Sequence, residues 1–165
     1  MKRFCIYTML NVLVVGCASD PELPPPPPPT LVNLQIEASA NLNADSNGNG
    51  APVMLRVYEL REQSNFSAAD FFALYDNEQA TLSADLARKQ NLLLKPGETK
   101  KLTIKPDDDV ASVGFFAAFR QLDSARWRAI AEVQPHQTQD YRVKLIDNQL
   151  TVEAIQPAAS APQEP

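Results

Sequence analysis

The chain has 165 residues, 15 basic against 20 acidic, a formal charge of −5 and two cysteines. That length suits one domain of ordinary size, and a mildly acidic chain without a basic cluster argues against nucleic acid as a partner. Both cysteines, Cys5 and Cys17, stand near the N-terminus, so the remainder is expected to be held by core packing without disulfides.

The basic pair Lys2 and Arg3 precedes an apolar run from Phe4 to Val15, the charged and hydrophobic regions of a secretory signal. At about a dozen residues the run is too short to cross a hydrocarbon core, which needs ~20. It closes on Val14-Val15-Gly16-Cys17, which resembles a bacterial lipobox. The resemblance implies a signal peptide at 1–16, cleavage before Cys17, a diacylglyceryl thioether on its sulfur and a further acyl chain on its amine. This covalent lipid is the one non-protein group expected. The next residue is Ala18, where lipoproteins retained in the inner membrane commonly have Asp; Asp20 comes two positions later. By that rule the expected location is the periplasmic face of the outer membrane. Losing Lys2 and Arg3 leaves 13 basic against 20 acidic residues, so the acyl chains must do the anchoring. Each buried CH₂ contributes ~0.8 kcal/mol, and several chains anchor stably where one does not.

Residues 17–30 form the lipidated terminus and its tether. Pro24 to Pro29 are consecutive prolines, which adopt polyproline II at ~3.1 Å per residue and act as a semi-rigid spacer. With its flanks, this segment holds a domain roughly 20–35 Å from the lipid.

Strand signals follow. Val32, Leu34, Ile36 and Ala38 alternate with polar residues, the period of a half-buried strand. Asn41 to Pro52 is a long polar loop, and Val53 to Leu60 resumes the alternation with Val53, Leu55 and Val57 on one face. The two strands are expected to pair across that loop. A helical insertion is predicted over about 64–90. Its first helix is capped by Ser67, with Ala68, Phe71, Phe72 and Tyr75 sharing a face; its second spans Ser83 to Gln90. Leu92 to Lys95 and Thr99 to Lys105 read as a hairpin around Pro96-Gly97. Val110 to Phe119 reads as a central strand in which Gly114 admits a close neighbour. Arg126 to Val133 is another strand, and Tyr141 to Ile146 with Gln149 to Ile155 form a last hairpin. About eight strands at this spacing predict an all-β sandwich over 31–155, followed by a disordered tail at 156–165.

Chemistry is sparse. His136 is the one histidine, and one histidine without cysteine makes neither a zinc nor a dithiol site. Asp107-Asp108-Asp109 lacks the spacing of a calcium loop and reads as a solvated turn. No Gly-x-Ser-x-Gly elbow and no phosphate-cradling glycine loop occurs. The aromatic residues Phe71, Phe72, Phe115, Phe116, Phe119 and Trp127 read as core. No enzyme activity is expected. The candidate contact surface is the long loop, Asn43, Ala44, Asp45, Ser46, Asn47, Gly48, Asn49 and Gly50 at its centre, because long irregular loops in compact domains are functional or else mobile.

The segments VYEL (57–60), DFFALY (70–75), LKPGE (94–98) and AAFRQLD (117–123), with Ala125-Arg126-Trp127-Arg128-Ala129, together resemble the outer-membrane lipoprotein of the type VI secretion system, the TssJ (SciN-like) family, over roughly 31–154. The resemblance implies a transthyretin-like β-sandwich of two four-stranded sheets with a small inserted helical element. It implies a non-catalytic role within an oligomeric complex: binding the periplasmic domain of TssM and, through it, TssL. In relatives the loop between the first two strands takes part in that contact. The alternative reading is a transthyretin-like periplasmic module that binds a small ligand or glycan.

Overall fold

The computed structural model describes residues 25–156. The signal peptide, Cys17, the first part of the tether and the tail beyond Gln156 lie outside them.

Eight strands form two four-stranded sheets. They are β1 (Leu31–Ala38), β2 (Val53–Leu60), β3 (Leu86–Leu94), β4 (Thr99–Ile104), β5 (Ser112–Ala117), β6 (Arg128–Glu132), β7 (Thr138–Ile146) and β8 (Gln149–Ala154). One sheet has the order β4-β1-β7-β8, with β1 and β7 parallel; the other has the order β3-β2-β5-β6. Alternate residues of β1 (Val32, Leu34, Ile36) and of β2 (Val53, Leu55, Val57) point into the space between the sheets. There they meet Phe115, Val143, Leu145 and Leu150 in one fully buried cluster. All six residues of β5 are buried, as its position between β2 and β6 requires.

The topology corrects two expected pairings. β1 and β2 belong to opposite sheets and face each other across the core, so the 41–52 loop is a bridge between layers rather than a hairpin turn. Packed sheets stand about 10 Å apart, a gap that a two-residue turn does not span. β3 and β4 likewise part company at Pro96-Gly97: β3 pairs with β2 and β4 with β1. Gly97 supplies the positive φ (75°) of that turn.

The helical element differs in detail from the prediction. It comprises α1 (Ser64–Ala68) and α2 (Phe71–Leu82), separated by Ala69 in an extended conformation. The cap of α2 is Asp70, whose carboxylate accepts from the Ala73 N–H at 2.8 Å, and not Ser67. A negative charge there also suits the helix dipole. No second long helix follows. A single 3₁₀ turn covers Ser83–Asp85, and β3 begins at Leu86. The Leu-Ala-Arg-Lys-Gln run has good helix propensity, but it pairs with β2 from Leu60↔Leu86 to Val53↔Leu94. Ladder hydrogen bonds to β2 override a propensity worth tenths of a kcal/mol per residue.

Two arginines fasten this element to the outer face of its sheet. Arg56 of β2 donates to the Leu74 and Tyr75 carbonyls (2.9 and 3.1 Å) and to Glu78 (2.8 Å). Arg128 of β6 donates to the Phe66 and Ala69 carbonyls (3.2 and 2.7 Å), the unpaired C-terminal groups of α1. Glu78 also accepts from Tyr58 Oη at 2.7 Å and from Lys89. Burial works against the Glu78 charge, yet the hydrogen bonds from Lys89 and Tyr58, with the nearby Arg56, hold its carboxyl below the usual range. Beneath α1, Gly114 leaves room that a side chain would fill: a Cβ there would stand 3.0 Å from Leu60 and 3.1 Å from Phe66.

Candidate functional site

The proline run and the long loop leave opposite ends of β1. At the first end Thr30 is buried, and its Oγ1 accepts from the His136 N–H at 2.9 Å; the His136 ring nitrogen Nδ1 lies 3.1 Å from the Pro28 carbonyl. His136 therefore helps to seat the incoming chain. The eight residues of β1, at ~3.3 Å each, then carry the chain about 25 Å to the loop.

The loop is built rather than slack. Leu42 is fully buried in the core, and the Ala51 N–H donates to its carbonyl at 2.8 Å, closing the base. Asn43 is also buried, in a left-handed conformation (φ 50°) that asparagine tolerates. Its side chain donates to the Pro52 carbonyl (3.2 Å) and accepts from the Arg120 N–H (2.8 Å), while its own N–H donates to the Asp147 carbonyl at 2.7 Å. Asn41 donates to the Asp147 carboxylate. Gly50 passes where a Cβ would stand 2.5 Å from the Ala40 carbonyl, so only glycine fits.

Above this base a second ring closes around Asp45. Its Oδ1 accepts from the backbone N–H groups of Asn47 and Asn49, each at 2.9 Å, and its N–H donates to the Asn49 carbonyl. The N–H groups of Asn49 and Asn47 hold the Asp45 carboxyl below the usual range. Ser46, Asn47, Gly48 and Asn49 stand exposed at the tip, with Gly48 in the left-handed region (φ 82°); Ala44 is half-buried. Because the folded pKa is the lower one, these ties are present above the ordinary aspartate range and weaken as pH falls through the depressed value. Amide exchange at Asn47 and Asn49 is expected to be slow at neutral pH and to lose its protection in acid. Asp45→Ala should remove that protection at every pH while leaving the thermal midpoint of the sandwich nearly unchanged.

Of the candidate residues, Asn43 and Gly50 serve the loop's foundation, and Ser46 to Asn49 form its accessible crest. The sequence reading missed Asp147 and Arg120, which tie the loop to the β7–β8 turn and to the β5–β6 connection. Asp147 stood in the sequence only as a turn residue, and nothing local links it to a loop more than ninety positions earlier. The aspartates of the 107–109 turn point to arginines: Asp107 to Arg88 (3.3 Å) and Asp109 to Arg61 (2.5 Å). Among the described residues no group of three or more His, Cys, Asp or Glu side chains gathers as a metal site requires. No helix of the described residues is long and apolar enough to cross a membrane. The surface depressions, such as one lined by Asn33, Leu34, Gln35, Lys101, Leu102, Thr103, Asp140 and Ile155, are open and of mixed polarity, unlike the enclosed apolar cups that bury small ligands.

A β-sandwich entered by a proline run at one end and carrying a tied, polar loop at the other has the form of a contact domain. The chain belongs to the type VI secretion lipoprotein family: residues 30–148 match the family described as "Type VI secretion lipoprotein, VasD, EvfM, TssJ, VC_A0113". The T6SS lipoprotein TssJ1 from Pseudomonas aeruginosa is 38% identical, with a TM-score of 0.76 over 79% of this chain and 99% of that one. Serratia marcescens Lip, described as a membrane bound component of the type VI secretion system, is 24% identical, with a TM-score of 0.70 over 79% of this chain and 99% of that one. A structure described as "T6SS protein TssM C-terminal domain (869-1107) from EAEC" contains a chain 22% identical, with a TM-score of 0.64 over 76% of this chain and 99% of the other. The last two likenesses establish the fold alone. No curated protein sequence matches the chain.

Proposed function

We propose that this lipoprotein is a non-catalytic link of the type VI secretion membrane complex, acylated at Cys17 and held on the periplasmic face of the outer membrane. The domain plan behind this reading is a signal peptide at 1–16, a tether at 17–30, the sandwich at 31–155 and a tail at 156–165. Its loop contacts the periplasmic domain of TssM, which connects it to TssL.

The observation that carries the reading is the separation of the two ends. The chain enters beside His136, and the loop begins about 25 Å further on, at the other end of β1. An anchor and a contact surface at opposite poles suit a protein that spans part of the periplasm. The structure described as containing the C-terminal domain of a TssM, in which a chain of the same fold occurs, supports the choice of partner.

The test alters the crest and spares the foundation. Ser46→Arg combined with Asn47→Arg leaves Asn43, Asp45 and Gly50 in place. It is expected to weaken binding of the purified TssM periplasmic domain about tenfold or more, with unchanged circular dichroism and thermal midpoint. Parental affinity in calorimetry would remove the loop from the interface.

A further inference from the structure

Of the five large apolar side chains that stand exposed among the described residues, four lie on the helix-bearing face of the β3-β2-β5-β6 sheet: Met54 (38%), Phe72 (61%), Tyr75 (46%) and Leu93 (53%). The strand register explains why they gather. Arg56 pairs with Phe116 and Asn91, and α2 crosses the sheet over this row, its Leu74 and Tyr75 carbonyls held by Arg56. One step toward the loop end, Met54 pairs with Leu93, and the Ala118 N–H donates to the Met54 carbonyl. No element covers this outer row. Its inner wall is the aromatic side of α2, where Phe71 stacks on Tyr75 (5.6 Å, 13°) and packs edge-on against Phe72 (5.3 Å). The result is an apolar ledge with a sheet floor and an aromatic wall, directly behind the base of the 41–52 loop. Exposed large apolar side chains gathered on one face of a sheet mark a contact site.

We infer that the ledge is a second contact for the partner that the loop engages, and that it receives an apolar ridge of that partner, followed by carboxylates at the loop end. The inference rests on the loop reading of the preceding section. Three observations select this occupant. The chain's own ends do not suit: residues 157–165 contain nothing apolar larger than alanine and proline, and the tether enters at the opposite pole. The ledge is continuous with the loop, since β2 leaves it through Pro52, to whose carbonyl Asn43 is bonded. At the loop end stand Lys95 and Arg120, both exposed and neither ion-paired among the described residues. Two nearby acids are already engaged, Glu98 by Lys100 (3.2 Å) and by the Lys95 N–H, and Asp45 by the loop's own N–H groups with Arg120 close by. An acidic border on a partner complements these cations.

The test uses the full mature lipoprotein in detergent and the purified TssM periplasmic domain as the probe. Phe72→Glu and Leu93→Glu change exposed side chains and leave the core intact. Each is expected to weaken binding about tenfold or more, while Lys105→Glu, near the tether end, has little effect. Lys95→Glu should weaken binding and flatten its dependence on salt. If Phe72→Glu and Leu93→Glu bind as the parent does while the crest variant fails, the ledge assignment is wrong and the loop assignment stands. If the parent does not bind TssM at all, both fall. Concentration-dependent dimers of the parent that Leu93→Glu abolishes would give the ledge to a second copy and overturn the inference.

Discussion

Cys17→Ser is expected to move the whole population of this protein from the membrane pellet to the soluble periplasmic fraction, with the sandwich intact. The serine oxygen does not take up the thioether, so neither the diacylglyceryl group nor the later amine acyl chain is added. At ~0.8 kcal/mol per buried CH₂, three chains amount to effectively permanent attachment, and no chain to none. Nothing among the described residues compensates. The domain is acidic, the described helices are too short or too polar to span a bilayer, and the large exposed apolar side chains cluster at the end away from the tether. The folded core contains no cysteine, so its stability does not change with residue 17. Fractionation of envelopes and intact mass measure the effect; a Cys17→Ser protein that stays with the outer membrane would remove the anchor from the proposal.

Phe116→Ala is expected to destabilise the domain by about 3–5 kcal/mol and to loosen the helical element first. Phe116 is fully buried on the outer face of β5, outside the space between the sheets. Its ring meets Phe71 at 5.0 Å and Trp127 at 5.6 Å, and the Arg56 guanidinium stands 5.5 Å from its centroid. One substitution therefore opens a cavity beneath α2 and removes the surface on which Arg56 rests. Chemical denaturation should report the loss of stability, and amide exchange in α2 should accelerate more than exchange in β1 or β7. Equal acceleration across both sheets would show that the helical element has no separate stability. The same packing gives a structural role to Trp127, Arg128 and Phe71, residues of the motifs that carry the family resemblance. Phe72, from the same DFFALY segment, instead points to solvent.

Much of the fold was legible in the residues because the relevant signals are local. The alternation of Val32, Leu34, Ile36 and Ala38 reappears as a strict buried and half-exposed pattern along β1. The most apolar run, Val110 to Phe119, contains the strand Ser112–Ala117, covered on both faces, by the core on one side and by the helical element on the other. Gly114 within it is the point of close approach that a glycine in such a strand suggests. The misreadings share a cause. A helix-prone run became β3 because β2 offered it a continuous ladder, and Phe72 and Tyr75 fell outside the core because α2 lies across its sheet with Leu74 turned inward.

The sequence by itself determined most of the strands, the turns, the presence of an inserted helical element and the polar loop. Each depends on side chains a few positions apart, where backbone geometry turns periodicity into a face. Only the tertiary structure decided which strands pair, that the loop bridges two sheets, and that Asp147 and Arg120 fasten it. It also decided that Met54, Phe72, Tyr75 and Leu93 meet beside it. Those contacts join residues tens of positions apart, and their energies arise only when two layers close on one core.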